Sequence, residues 1–195
     1  MSKSISARVQ QTDRKVAHKA GRKRETRLVK IAGTISDIGD QPPLIVLSVA
    51  TALGGAVLRD GKVARTGLRM LAAHALATGI KSLVKHQVDR SRPHQPLNGG
   101  RYKARRGNSS DPALNSFPSG HTAGVVAVVA AVSREYPASA PVGYATAAGI
   151  AAMQVPRAQH YVSDLAAGAV IGAVAGWLSN RAFDAAERAW RERSI

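Results

Sequence analysis

A chain of 195 residues with 45% hydrophobic content has room for one domain and little more. The absence of cysteine excludes disulfide staples, thiolate metal sites and cysteine nucleophiles. A formal net charge of +16 calls for a polyanionic neighbour, whether nucleic acid, an anionic membrane or a phosphorylated substrate.

Residues 1–30 hold ten Lys and Arg against Asp13 and Glu25, net +8, which is half of the whole excess. The stretch begins polar and aperiodic and lacks the apolar core of a secretory signal, so a basic, largely disordered tail is expected there, retained on the mature protein. From about Arg22, Leu28, Ile31, Ile35 and Ile38 recur at helical spacing among Arg24, Arg27 and Lys30. That pattern suits a short basic amphipathic helix lying on anionic lipid, as well as a solvated tail. Residues 31–195 are expected as one helical bundle.

Beyond Asp40 the chain alternates apolar runs with charged or Pro/Gly-rich joints: 42–58, 68–84, 120–133, 137–156 and 165–180. Arg69 and Lys81 flank the second run, where long side chains can snorkel. No strand-like alternation survives a count, and Ala and Gly abound, as close helix packing in a membrane demands. The predicted fold is therefore all-α, a membrane-embedded bundle of about five core helices behind a basic N-terminal tail. The mean hydropathy of −0.12 is held down by the tail and one basic loop. Trp177 suits the membrane interface or a packed core, and the charged residues 181–195 read as an exposed helix end.

Three clusters carry chemistry. In Ser116-Phe117-Pro118-Ser119-Gly120-His121, a turn feeds a helix, so the N–H groups of Ser119, Gly120 and His121 can converge on one anion, phosphate being the natural guess. An ordinary turn capped by Ser119 would look the same. Upstream, Lys85 and Arg92 stand seven apart before Pro93; on a continuous helix they would share a face and suit a phosphoryl group. Arg90, beside them, has no evident role. Downstream, His160 and Asp164 are spaced i, i+4, so Asp164 could accept from one imidazole nitrogen and leave the other as a nucleophile.

Together, Lys85-(six residues)-Arg92-Pro93, Ser116-Phe117-Pro118-Ser119-Gly120-His121-Thr122 and His160-(three residues)-Asp164 resemble the type 2 phosphatidic acid phosphatase family, over about 37–176. That family includes lipid phosphate and polyprenyl pyrophosphate phosphatases and vanadium haloperoxidases. The resemblance implies a membrane phosphatase acting on a lipid phosphate or pyrophosphate. It also implies that His160 attacks phosphorus to form a phosphohistidine held by Asp164, and that His121 protonates the leaving oxygen and then activates water. Lys85, Arg92, Ser119 and Gly120 would bind the equatorial oxygens. The family's third motif has an Arg six residues before its nucleophilic His; Gln154 stands there, and Arg157, one turn on, is the candidate to replace it.

No other histidine has metal-ligand spacing to a carboxylate, so no catalytic metal or other cofactor is expected: His74 reads as a core residue, His18 as part of the tail, and His86 and His94 as flanks of the first motif. The polar loop 95–116, with Arg101, Lys103, Arg105 and Arg106, is long enough to border the phosphate pocket or to meet lipid head groups. The location implied is the cell membrane, multi-pass, with a lipid phosphate substrate and anionic lipid under the tail, in preference to nucleic acid. Five crossings would put the N-terminus and the catalytic loops on one face, cytoplasmic by the distribution of basic residues. The contrasting possibility is an inactive basic protein of the same fold that binds membranes or nucleic acid, for which the ordered motifs would be needless.

Overall fold

The structure is a computed structural model that describes residues 2–193, with side chains from residue 7 onward; the extreme ends of the basic tail and of the charged last segment lie outside the described residues. The first apolar run forms α3, Gln41–Val57, with prolines in its first turn, where a missing N–H costs nothing. The second lies within α4, Gly61–Lys85, capped by the Asp60 carboxylate, which accepts from the N–H groups of Lys62 and Val63. The remaining runs form α6, Gly120–Glu135, α7, Ala140–Met153, and α8, Val162–Arg193. These are the five expected core helices.

Small residues build the centre: Ala73, Ala77, Ala127, Ala131 and Ala175 pack with Leu44, Met70 and Val128. Large apolar side chains point outward instead, among them Val46, Leu53, Leu68, Leu76, Leu83, Val142, Val170, Val174 and Trp177. An apolar exterior around an Ala-rich centre is what lipid surroundings favour, since large side chains gain nothing by hiding from hydrocarbon. Among the described residues one helix, α8, is long and apolar enough to cross a membrane by length and composition.

Helices α6 and α8 approach closely along a row of glycines. A Cβ on Gly172 would lie 2.5 Å from the Ala123 carbonyl oxygen, one on Gly168 2.6 Å from that of Ser119, and one on Gly176 2.5 Å from Ala130 Cβ. This glycine seam brings the start of α8 against the start of α6, where the two histidine motifs lie. At the opposite end Arg69, 2% exposed, is not snorkelling. It pairs with Asp184 at 2.8 Å and Glu135 at 2.8 Å, while Arg134 holds Asp184 at 2.9 Å. The charged end of α8 is thereby tied to α4 and α6 and is not simply an exposed helix end.

The expected disordered tail is corrected. Residues Ser2–Gly21 form α1 and Arg27–Ser36 form α2, N-capped by Thr26. The buried stripe of α1 is Asp13, Ala17 and Gly21, one residue per turn. Leu97 lies so near Gly21 that a Cβ there would sit 2.6 Å from Leu97 Cδ1. A stripe of one acid and two small residues leaves no hydrophobic period to read. Between α4 and α6 the chain adds a two-stranded antiparallel ribbon, β1 Val88–Arg90 with β2 Ala104–Arg106, and the single turn α5, His94–Leu97. The ribbon and α1 cover the same end of the bundle.

Candidate active site

Ser119 is the N-cap of α6, its hydroxyl oxygen accepting from Thr122 N–H at 3.4 Å and from Thr122 Oγ1 at 3.0 Å. Its own N–H donates to the Asp164 carbonyl oxygen at 3.1 Å. The expected trio of converging N–H groups is thus reduced by one, because the α6–α8 seam consumes it. The first-turn N–H groups of Gly120 and His121 remain without an acceptor among the described residues, at the positive end of a sixteen-residue helix.

His160 lies in the turn before α8, so it and Asp164 do not share a helical face as expected. Its Nδ1 is 2.7 Å from the Ser116 carbonyl oxygen. A carbonyl only accepts, so Nδ1 carries the proton and Nε2 keeps its lone pair. The Asp164 carboxylate is 3.8 Å from Nδ1, an ionic contact too long for a hydrogen bond. It accepts instead from the Ser116 hydroxyl at 2.6 Å and Tyr161 N–H at 2.8 Å. Ser116 is therefore the direct orienting residue, and Asp164 fixes Ser116. Burial pushes the His160 pKa below its ordinary 6.5, against the opposing pull of Asp164.

The His121 ring meets that of His160 edge-on, the ring planes inclined at 67° and the centroids 6.4 Å apart. Its Nε2 approaches Asp40 Oδ1 at 2.7 Å, out of line for a hydrogen bond, and Asp37 Oδ1 at 4.0 Å. Neither acid was expected in the site. Their oxygens and Nε2 lie within 4.8 Å of one another, close enough to share a cation, which sequence spacing had not suggested for any histidine.

Lys85 and Arg92 do not ride one helix, because α4 ends at Lys85 and the chain turns into β1. They nevertheless converge. Lys85 Nζ donates to the Asn115 carbonyl at 3.2 Å, next to the Ser116 that holds His160. Arg92 donates to the Gln159 side chain, immediately before His160, and through Nε to the Pro112 carbonyl at 3.2 Å. The loop 95–116 thus borders the site, as expected. Arg157 donates to Asp37, to the Gly33 carbonyl at 3.1 Å and to Ser36 at 3.0 Å, which puts it in the wall beside His121. Gln154, wholly buried, reaches the same Ser36 hydroxyl at 3.4 Å.

The model of the PAP2 superfamily matches residues 66–188, well over half of the sequence and all three motifs. The chain belongs to the PAP2 superfamily. Over 95 residues it is 32% identical to the Lipid A 1-phosphatase of Porphyromonas gingivalis, an alignment taking in 45% of this chain and 21% of that protein, so the match spans about a fifth of the relative's length. The transmembrane PAP2 type phosphatidylglycerolphosphate phosphatase of Bacillus subtilis superimposes with a TM-score of 0.66 at 21% identity, over 90% of this chain and 86% of the other. For Aquifex aeolicus LpxE the TM-score is 0.59 at 21% identity, over 86% and 93%. These likenesses are of fold.

Around this PAP2 core the sequence reading missed Arg90. Its guanidinium donates to Asp164 at 2.5 Å, to Ser163 at 2.7 Å and to Asp13 of α1 at 2.8 Å. Burial alone would lower the Arg90 pKa, but Asp164 and Asp13 raise it above its ordinary value. The first acid of the basic segment thus reaches, through one arginine, the carboxylate that supports the nucleophile motif. Ser116 stood inside the quoted motif; Asp13, Asp40 and Arg90 had no partner at readable spacing.

Proposed function

We propose that this protein is a multi-pass phosphatase of the cell membrane, hydrolysing a lipid phosphate or pyrophosphate monoester through a phosphohistidine intermediate. One observation carries the reading: two imidazoles meet edge-on with ring centroids 6.4 Å apart, and the tautomer of His160 is fixed by a backbone carbonyl so that Nε2 is free to attack. In the first step Nε2 bonds to phosphorus as the ester oxygen leaves and takes a proton from His121. In the second, His121 removes a proton from water, which displaces the histidine and releases inorganic phosphate. Gly120 and His121 N–H, Lys85 and Arg92 bind the equatorial oxygens; Ser119 acts through the helix start it caps, and Arg157 adds charge beside His121.

A lipid substrate is favoured by an apolar cavity of about 330 Å³ between α3, α6 and α7, lined by Ile38, Leu44, Val125, Val129 and Ile150. Its Ile150 packs on Gly39, in the turn that faces His121. On α2 the stripe of Leu28, Ile31 and Ile35, continued by Ile38, is exposed, and with the flanking cations it would lie on anionic lipid.

Phosphate release from a lipid monophosphate in detergent tests the reading. Turnover should persist with a chelator and without added metal, and vanish in His160→Ala. His121→Ala should lose least with a good leaving group, since its proton matters most when the leaving oxygen is basic. Undiminished turnover in His160→Ala would sink the mechanism.

A further inference from the structure

The mechanism above leaves Lys81 unused. It lies on α4 one turn before Lys85, on the same face. It is partly buried, and its side chain rests on the start of α6: a Cβ on Gly120 would be 3.2 Å from Lys81 Cδ and 3.4 Å from Nζ. The ammonium is therefore held against the first turn of α6, beside the unused N–H groups of Gly120 and His121.

The charges around the site divide into two sets. Arg90 is matched by Asp13 and Asp164, and Arg157 by Asp37. Among the described residues no carboxylate lies within ion-pair distance of Lys81, Lys85 or Arg92, the nearest acids being already engaged. Arg92 is anchored to Gln159 beside His160, and Lys85 to Asn115 beside the Ser116 that holds His160, so they serve the phosphorus that His160 attacks. Lys81 is on the α6 side, with His121, where the leaving group must depart. A cation placed there matches a leaving group that is itself anionic.

We propose that Lys81 is a specificity-determining residue that binds the inner phosphate of a diphosphate monoester, so that the preferred substrate is a lipid diphosphate and the product a lipid monophosphate. The assignment rests on the phosphatase reading above. His160 Nε2 forms its bond to the terminal phosphorus as the bond from that phosphorus to the bridging oxygen breaks. The electron pair stays on the lipid monophosphate, and Lys81 meets the charge that gathers there. Water then cleaves the phosphorus–nitrogen bond and releases inorganic phosphate, its proton passing through His121 to the departing lipid monophosphate, so that both histidines return to their starting state. A monophosphate ester offers Lys81 only an uncharged alcohol and gains nothing from it.

The test compares a diphosphate and a monophosphate carrying the same prenyl tail, through kcat/KM for the wild type, Lys81→Met and Lys81→Arg. The wild type should favour the diphosphate. Lys81→Met should cut that preference by roughly tenfold to a hundredfold with an unchanged unfolding temperature, and Lys81→Arg should retain most of it. The Lys81→Met variant of His160→Ala should likewise lose affinity for inorganic pyrophosphate and keep its affinity for inorganic phosphate. A wild type that prefers the monophosphate, or a preference unmoved by Lys81→Met, overturns the assignment and leaves the phosphatase reading standing. Failure of the wild type to release phosphate from either ester sinks that reading and this assignment with it.

Discussion

The docking of α1 is the part of the molecule most open to a decisive experiment, and Asp13→Ala is the perturbation. Asp13, 3% exposed, accepts from Arg90 at 2.8 Å, from Ser163 N–H at 3.1 Å and from the Ser163 hydroxyl. Removing one partner of a buried ion pair typically costs about 3 to 5 kcal/mol, because the other charge is left without compensation. Arg90 retains Asp164, so the lower end applies, about 3 kcal/mol. For a domain of this size each kcal/mol moves the unfolding temperature by about 2 to 4 °C, so a fall of roughly 6 to 12 °C is expected in detergent. Detachment of α1 would relieve part of the strain, so tryptic cleavage after Lys15 and Lys19 should speed up in parallel. Asp13→Asn, which keeps an acceptor for Ser163, should fall between. An unfolding temperature within about 1 °C of wild type, with unchanged trypsin sensitivity, would mean that α1 is not held by this pair.

Because burial lowers the His160 pKa, the acid limb of kcat/KM should have its midpoint below 6.5. Stability follows the same sign: the unfolded chain takes up the proton at about 6.5 and the folded ring only at lower pH, so His160 costs stability as pH falls below 6.5, and His160→Gln should flatten that slope in an unfolding titration. Arg157→Ala should slow turnover by roughly a hundredfold to a thousandfold, and Gln154→Arg should restore part of it because both side chains reach Ser36; no rescue in a folded double variant would refute the shared position. Gly172→Val forces a side chain where a Cβ already meets Ala123 O at 2.5 Å, so turnover should drop along with at least about 1 to 3 kcal/mol of stability; wild-type turnover would show that the seam does not set the spacing of the histidines. A cysteine placed at the exposed Ser110 should resist an impermeant thiol reagent in intact cells, and ready labelling would put the site on the outer face.

The core helices were legible because each contains a long apolar run, and the bundle needs nothing subtler than length, Ala and Gly to pack. The motif residues were legible as types: a proline, a serine and a glycine before a helix can do few things. What spacing could not give was the partner of each group. The i, i+4 separation of His160 and Asp164 suggested a direct hydrogen bond, yet the helix begins at Val162, so the nearest acceptor is a carbonyl 44 residues away in sequence. A separation of seven positions from Lys85 to Arg92 suggested one face, yet the helix stops at Lys85 and the two meet only because the ribbon folds back.

Residues 1–21 show the limit most clearly. Their sequence is basic and without hydrophobic period, and composition alone makes a solvated tail. The docking face is an Asp, an Ala and a Gly, whose value lies wholly in what they meet: Arg90 across 77 residues and Leu97 across a space only glycine leaves open. The sequence by itself determined the core helices and the chemistry available at the site. Which cations stay paired and which stay free for an anion, Arg90 against Lys81, was decided only by the tertiary structure, because the free energy of a buried charge depends on its neighbours in space and not on its place in the chain.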